Sequence, residues 1–228
     1  MNTTKAPRLV GVHSGRKGKI CEQSLEHFLK ATGASYHIYA LTDYPLQSCD
    51  ACMACMNGRG CVKADGLAEL AAALASSAGI VFAAPEYWQG VNGKARSFWE
   101  RLCFSGRHAG RFPYAGIPAV AVGVGGDGNA DHALGDMLRF MREARMPVVD
   151  SLRVQGQYAC FHCGIGESCP VSGLWDLYSP GKEIDTEDVP GLDNQGAHCE
   201  GRYGRQSARP QLQDAARRLM EAVEKPGL

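Results

Sequence analysis

Residues 79–84 read Gly-Ile-Val-Phe-Ala-Ala and are followed at once by Pro85. A short, continuous apolar run that ends at a proline is typical of a strand buried on both faces. Similar runs predict four more strands, the last of them weaker: Arg8 to His13 (RLVGVH), Ser35 to Leu41, Ile117 to Gly123 (IPAVAVG) and Val148 to Val154. Strands of this kind are typical of a parallel sheet that is covered on both faces.

Segments with helical periodicity alternate with these runs. They are Gly18 to Ala31, Gly66 to Ser77, Asn92 to Phe104, a stripe of apolar residues from Ala130 to Met141, and a closing helix that carries Leu212, Ala216, Leu219 and Val223. Alternating strands and helices predict an α/β fold with a doubly wound sheet. The length of 228 residues allows one domain over residues 1–228, in which residues 155–208 form an insertion before the last helix.

The composition excludes several classes of protein. The chain has 24 Lys and Arg against 24 Asp and Glu, and this balance gives no sign of binding to nucleic acid or to an anionic membrane. The first residues lack the apolar core of a signal peptide, and the apolar stretch from Leu67 to Pro85 is broken by polar residues, so we expect a cytoplasmic protein. In a reducing compartment, the clustered members of its 10 cysteines are expected to be metal ligands or redox thiols.

Three loops that follow predicted strands have unusual sequences. The first, His13-Ser-Gly-Arg-Lys-Gly-Lys19, leads into a helix and offers a hydroxyl, two glycines and cations to a phosphate, although a solvated basic turn would look the same. The second, Pro85-Glu-Tyr-Trp-Gln-Gly-Val91, places aromatic rings where they need a flat partner or a subunit interface. The third, Gly123-Val-Gly-Gly-Asp-Gly128, permits close approach of a ligand to the backbone.

Together the three loops predict a mononucleotide that carries a flat ring system, and FMN is the natural candidate. In open α/β sheets, ligands bind beyond the carboxyl ends of the strands, which is where these loops lie. The predicted cofactor-binding residues are Ser14, Arg16, Lys17, Gly18, Ile20, Pro85, Glu86, Tyr87, Trp88, Gly125, Gly126 and Asp127. No residue is predicted to be catalytic in its own right, because the chemistry belongs to the flavin.

The same loops resemble those of the flavodoxin-like NAD(P)H-dependent FMN reductases and iron-sulfur flavoproteins, over roughly residues 7 to 150. The first loop resembles the family pattern GSPRKxGNT, with Gly15 in place of proline and Lys19 and Ile20 in place of the last two residues. A PxYW loop is matched by Pro85, Tyr87 and Trp88, and a KxFxDR helix is echoed, with a longer first gap, by Lys94, Phe98 and Arg101, with Glu100 in place of Asp. The resemblance implies a flavodoxin-like, five-stranded sheet in the order 2-1-3-4-5.

Four cysteines lie in a single loop, residues 49–61. Cys49, Cys52, Cys55 and Cys61 have the spacing C-x2-C-x2-C-x5-C, which favours a [4Fe-4S] cluster. Zinc more often uses two separated C-x2-C pairs, and free thiols or a disulfide are further alternatives. Among flavodoxin-like proteins, a compact motif of this kind after the second strand resembles that of the iron-sulfur flavoproteins, where it binds [4Fe-4S]. Only Asp65 remains of an acidic pair that commonly follows it in the family.

A second cysteine group lies in the insertion, at Cys160, Cys163, Cys169 and Cys199. Three close cysteines and one distant one predict a second iron-sulfur cluster. Zinc is the alternative, since His162 and His198 each lie near a cysteine of the group, and the thiols could also be unligated or form a redox pair. The remaining two, Cys21 and Cys103, are interpreted as small buried apolar residues.

These features predict an iron-sulfur flavoprotein that transfers electrons between a one-electron donor, its cluster and FMN, and reduces a small acceptor. One alternative is an NAD(P)H-dependent FMN or quinone reductase, in which hydride reaches FMN directly. Another is a zinc-stapled flavodoxin-like module that acts through interactions with other proteins. The expected redox partner is a ferredoxin or NAD(P)H, and the family resemblance implies a homodimer or homotetramer.

Overall fold

The structure is a computed structural model that describes residues 8–58, 60–196 and 206–225. Within these ranges, five strands alternate with helices. The strands are β1 (Arg8–His13), β2 (Ser35–Ala40), β3 (Gly79–Pro85), β4 (Ala119–Gly125) and β5 (Val148–Gln155). The α-helices are α1 (Ile20–Ala31), α2 (Leu67–Ala75), α3 (Gly93–His108), α4 (Asp131–Glu143) and α5 (Arg209–Glu224).

All five strands form one parallel sheet in the order β2-β1-β3-β4-β5, which confirms the predicted flavodoxin-like topology. The central strands β3 and β4 are buried along their whole length, as their unbroken apolar sequences indicate. Because β1, β3 and β4 are neighbours and run in parallel, the loops that follow them meet at one edge of the sheet. That edge is where the topology predicts a ligand site.

Each face of the sheet carries its own apolar core. On one face, Val10, Ile80 and Phe82 pack with residues of α2, α3 and α4. Phe82 contacts the ring of Trp99 at a centroid distance of 5.1 Å, within the range of favourable aromatic pairs. On the other face, alternate residues of the same strands pack with α1 and α5. The sheet is therefore covered on both sides, as predicted.

The insertion is more ordered than its composition indicates. Two short 3-10 helices, Ala159–Phe161 and Gly173–Asp176, lie in it. Its far end is bound to the start of α5, where the amide of Ala208 donates to the carbonyl of Leu192 at 2.6 Å. Backbone hydrogen bonds thus hold part of this segment. The one-domain organisation of residues 1–228 stays a prediction.

No helix within the described residues is both long and apolar enough to cross a membrane.

Candidate functional site

A cavity of about 590 Å³ opens at the carboxyl ends of β1, β3 and β4. This volume lies within the range of small-molecule and cofactor sites. All three loops that the sequence singled out contribute to its wall. The residues predicted to bind the cofactor that do line it are Arg16, Ile20, Pro85, Glu86, Tyr87, Trp88, Gly126 and Asp127.

The first loop, residues 13–19, offers donors suited to a phosphate and is called the phosphate loop below. Ser14 lies just behind the residues that line the cavity and is buried, and its hydroxyl has no hydrogen-bond partner among the described residues. Asn92, the N-cap residue of α3, donates its side-chain amide to the Ser14 carbonyl at 2.8 Å and holds the loop in place. Gly15 lets the loop pack closely against α1, since a Cβ there would lie 2.7 Å from Cys21 Sγ. These residues fit the phosphate end of FMN.

Two predicted residues of this loop are directed elsewhere. Lys17 Nζ lies 2.8 Å from Asp43 Oδ1, and this ion pair takes the charge outside the cavity wall. Gly18 donates its amide to Glu22 Oε2 at 2.5 Å, a contact at the start of α1. Lys19, which we did not assign to the site, lines the cavity instead. The sequence thus indicated a basic loop correctly but did not determine which cation faces the ligand.

The second loop brings two aromatic side chains to the mouth of the cavity. Trp88 is fully exposed and Tyr87 is half-exposed, although tryptophan is usually well covered. Trp88 and the next residue, Gln89, have positive φ angles of 51° and 61°, which non-glycine residues seldom adopt. The exposed rings fit a flat ligand such as the isoalloxazine of FMN. Glu86 has a structural task as well, since its carboxylate accepts from the amides of His132 and Ala133 at the start of α4, both at 3.1 Å.

The two neighbouring glycines of the third loop, Gly125 and Gly126, have different surroundings. Gly126 lines the cavity, and a Cβ there would lie 2.7 Å from the ring of Tyr158. Gly125 does not line it, and a Cβ there would lie 1.8 Å from the carbonyl oxygen of Asn129. Gly125 is therefore needed for the tight turn after β4, and Gly126 is the one that faces the cavity. Asp127 also lines the cavity, as predicted.

The insertion forms a wall of the cavity that the sequence analysis missed. Gln157, Tyr158, Cys160 and Asp176 all line it. The first of them also binds the phosphate loop, since Arg16 Nη2 lies 3.4 Å from its carbonyl oxygen. The sheet order contained a signal for this wall, because β5 lies beside β4 and its following loop emerges at the same edge.

Of the two remaining cysteines, Cys21 is buried as predicted, and Cys103 is only partly buried, against the core that contains α3. Burial raises the pKa of Cys21 to about 12, so its position near the start of α1 does not make it a reactive thiolate. Burial likewise raises the pKa of Cys103 to about 12. His13, at the end of β1, is buried too, and burial lowers its pKa despite the nearby Glu22 and Asp43. Its imidazole is therefore neutral at pH 7 and brings no positive charge to the phosphate loop.

The four cysteines of residues 49–61 line one separate small cavity together with Arg101 and His108. Cys55 Sγ lies 3.1 Å from His108 Nδ1, and Arg101 donates from Nε and Nη2 to Cys61 Sγ at 3.3 and 3.1 Å. No three Cys, His, Asp or Glu side chains among the described residues meet as one metal ion would require. The cavity measures about 20 Å³, little more than a water needs, so the loop must widen to receive a larger group.

A buried ion pair supports this cysteine loop. Arg101 donates from Nη1 and Nη2 to the two carboxylate oxygens of Asp65 at 2.5 and 2.9 Å, and from Nη1 to the Gln47 carbonyl at 3.0 Å. Burial alone would raise the pKa of Asp65, but the hydrogen bonds from Arg101 and Gln47 outweigh it, and the pKa is lowered. The cation is therefore fixed beside Cys61.

The second cysteine group is arranged differently. Cys160 Sγ accepts from the amide of Gly173 at 3.3 Å, and Cys163 Sγ lies 3.5 Å from the carbonyl oxygen of Cys160. Cys169 lines neither the cofactor cavity nor the cavity beside it. The fourth predicted ligand, Cys199, and the neighbouring His198 lie outside the described residues. The second metal site therefore stays a prediction.

Fold and cavity define a flavodoxin-like α/β protein with a site for a flavin mononucleotide. Residues 7–158 match the model of the family described as NADPH-dependent FMN reductase. The match covers well over half of the chain, which therefore belongs to this family. FMN is thus the cofactor that the family implies, in agreement with the donors and rings described above.

Solved structures with the same fold are distant in sequence. A flavone reductase has a TM-score of 0.56 and 12% identity, with 96% of this chain and 63% of that one covered. RosB with a bound intermediate, 8-demethyl-8-formylriboflavin-5'-phosphate, has a TM-score of 0.56 and 12% identity, covering 97% and 82%. An oxidoreductase from Corynebacterium diphtheriae has a TM-score of 0.54 and 16% identity, covering 97% and 98%. The chain thus spans less than two thirds of the flavone reductase. No curated protein matches it in sequence.

Proposed function

We propose that the protein is an FMN-dependent oxidoreductase that also holds a [4Fe-4S] cluster and passes electrons from a one-electron donor to a small acceptor. The cluster ligands are Cys49, Cys52, Cys55 and Cys61. The observation that carries the proposal is the convergence of these four thiols on one cavity, with Arg101 hydrogen-bonded to one of them. The family match supports the FMN part of the proposal.

The protein's own residues bind and orient the flavin. The Ser14 hydroxyl, the cations of Arg16 and Lys19 and the start of α1 hold the phosphate. Tyr87 and Trp88 lie against the ring, and Gly126 lets the backbone approach it. When bound, FMN accepts and donates one or two electrons, which lets it join one-electron and two-electron partners.

The spacing of the four thiols favours a cluster over zinc, because three of them follow one another at two-residue gaps. Zinc more often uses two separated C-x2-C pairs. The four cysteines line one cavity. A cluster spreads its cysteine ligands over several irons. Hydrogen bonds to the sulfurs, such as those from Arg101, are among the features that set the potential of such a cluster.

Helix α3 connects the two sites. Asn92, at its N-terminus, binds the phosphate loop, and Arg101, further along the helix, binds the cysteine loop. Nine residues of helix separate the two, or about 14 Å at 1.5 Å per residue. The helix keeps the two sites at a constant separation. A homodimer or homotetramer, which we also propose, would offer a second route between a cluster and a flavin of different copies.

The second candidate function is direct reduction of FMN by NADPH, with transfer to free flavin or quinone. The family description favours it, and the cofactor cavity is open at the exposed Trp88. Mixing the flavin-loaded protein with NADPH under anaerobic conditions separates the two candidates. Rapid bleaching of the flavin by NADPH alone supports direct hydride transfer. Bleaching that needs a one-electron donor, such as reduced ferredoxin, supports the leading proposal.

Metal and flavin analysis tests the proposal as a whole. The protein is purified anaerobically, and iron, zinc and FMN are counted per chain alongside the absorption spectrum. We expect about one FMN and about four irons, with the broad absorption of a cluster. About eight irons would add a second cluster at Cys160, Cys163, Cys169 and Cys199. A colourless protein that contains zinc and neither iron nor flavin would refute the proposal and support the alternative of a zinc-stapled interaction module.

A further inference from the structure

Cys160 occupies a position that the proposed function does not use. Cys160 lines the cofactor cavity and also a neighbouring cavity of about 410 Å³ that lies within the insertion. The thiol is half-buried, and its sulfur accepts the amide of Gly173 at 3.3 Å. A thiol therefore lies at the junction of the cofactor cavity and a second pocket.

A second cysteine lies within reach of the first. Cys163 is exposed, and its sulfur lies 3.5 Å from the carbonyl oxygen of Cys160. Cys160 belongs to the 3-10 helix Ala159–Phe161, and the amide of His162 continues the turn by donating to Ala159 O at 2.9 Å. Cys163 follows His162, the C-cap residue of this turn. The spacing Cys-x2-Cys is that of redox-active dithiols.

We propose that Cys160 and Cys163 form a redox-active dithiol that exchanges two electrons with the flavin. In the reductive direction, NADPH gives a hydride to FMN, and the reduced flavin passes two electrons to the disulfide. The S–S bond breaks and, with a proton taken from solvent, two thiols form. The net change is NADPH, a proton and a disulfide converted to NADP⁺ and two thiols. This inference rests on the second candidate function, the direct reduction of FMN by NADPH, and not on the iron-sulfur cluster.

The pair stands apart from the other cysteines predicted to share its site. Cys199, the distant member of that group, lies outside the described residues. Cys169, the third cysteine of the segment, lines neither cavity. The segment is also bound to the phosphate loop, since Lys19 Nζ lies 3.3 Å from His162 Nε2. Binding of FMN and the position of the pair are therefore linked through this contact.

Peptide mapping tests the inference without measuring enzyme turnover. The FMN-loaded protein is treated with oxidised glutathione, freed of it, and incubated anaerobically with or without NADPH. Free thiols are then alkylated, and the peptides are identified by mass spectrometry. We expect a disulfide between Cys160 and Cys163 after oxidation and its loss after NADPH. The same protein stripped of FMN should keep the disulfide when NADPH is added.

Three variants complete the test. Cys160→Ser and Cys163→Ser should each remove the NADPH-reducible disulfide, and the matched control Cys169→Ser should retain it. A disulfide to another cysteine, no disulfide at all, or reduction by NADPH that is equally fast without FMN would each overturn the inference. Zinc or iron lost in all three variants would overturn it in favour of a metal site. The absorption of FMN in each sample reports on the reduction of the flavin separately: bleached FMN beside an intact disulfide refutes the dithiol alone, and unbleached FMN refutes the function on which it rests.

Discussion

The two cysteine groups share a spacing but not an environment. Cys52, Cys55 and Cys61 follow C-x2-C-x5-C, and Cys160, Cys163 and Cys169 follow the same pattern. The first set continues backwards to Cys49, whereas Gln157 stands at the equivalent position before the second set. The first group therefore has a fourth thiol in its loop, and the second has an amide that hydrogen-bonds His162 at 2.8 Å.

The neighbouring elements differ as well. Helix α3 lies against the first group and supplies Arg101 and His108 to its sulfurs. The second group is surrounded by short 3-10 helices and loops, and one of its thiols lies in the wall of the cofactor cavity. The shared spacing therefore does not distinguish the two groups. They differ in the elements packed against them: α3 beside the first, and the cofactor cavity and short 3-10 helices beside the second.

The largest expected effect is a difference in iron content between a variant of the first cysteine group and a variant of the second. Cys61→Ser should reduce bound iron from about four per chain to nearly none, because a cluster that loses one of its ligands is no longer held by four thiolates. Cys169→Ser should leave the iron content unchanged. Iron analysis of both anaerobically purified variants measures the difference. Equal loss of iron in both would show that the groups are not different in kind.

The second prediction concerns the support behind the first group. Arg101→Met should lower the free energy of unfolding by about 3–5 kcal/mol, since it leaves Asp65 buried without its counter-charge. Urea denaturation measures the change. Arg107→Met is the matched control in the same helix, because the Arg107–Glu143 pair is largely exposed and should matter little. Arg101→Lys keeps the charge but not the paired hydrogen bonds to Asp65, so its loss of stability should be smaller than that of Arg101→Met. An unchanged stability of Arg101→Met would refute the supporting role.

The smallest effect tests whether the second group belongs to the flavin site. Lys19→Ala should weaken FMN binding by about 1 kcal/mol, roughly fivefold, since the cation lines the cavity and contacts His162. Lys17→Ala should leave the affinity almost unchanged, because that cation pairs with Asp43. Fluorescence titration of the FMN-free protein measures both dissociation constants. A larger loss for Lys17→Ala would mean that the phosphate binds on the other side of the loop.

Much of the fold follows from local sequence. Short runs rich in apolar, β-branched and aromatic residues identified all five strands, although β4 begins and ends two residues later than predicted. The reason is visible at Pro118, which has no amide to donate to the sheet, and at Gly125, whose carbonyl accepts from Gly128 at 3.0 Å to close the next turn. Strand ends depend on such hydrogen bonds, which a pattern of apolar residues does not contain.

The candidate site could be predicted only in part. The loops after β1, β3 and β4 were found because their residue types are unusual at strand ends. The wall from the insertion was missed, since Gln157 and Tyr158 carry no motif and enter the site only because β5 ends beside β4. The choice of Lys19 over Lys17 depended on a side-chain contact with Asp43 across the loop.

The sequence by itself determined the order of strands and helices, the edge where a ligand binds, and the spacing of the cysteines. These are properties of neighbouring residues, set by periodicity, loop composition and the reach of a few peptide bonds. Only the tertiary structure decided that Arg101 lies against Cys61 and that Cys160 lies in the cofactor cavity. Residues far apart in the chain meet there through packing of helices and loops on the sheet, and no local pattern records those contacts.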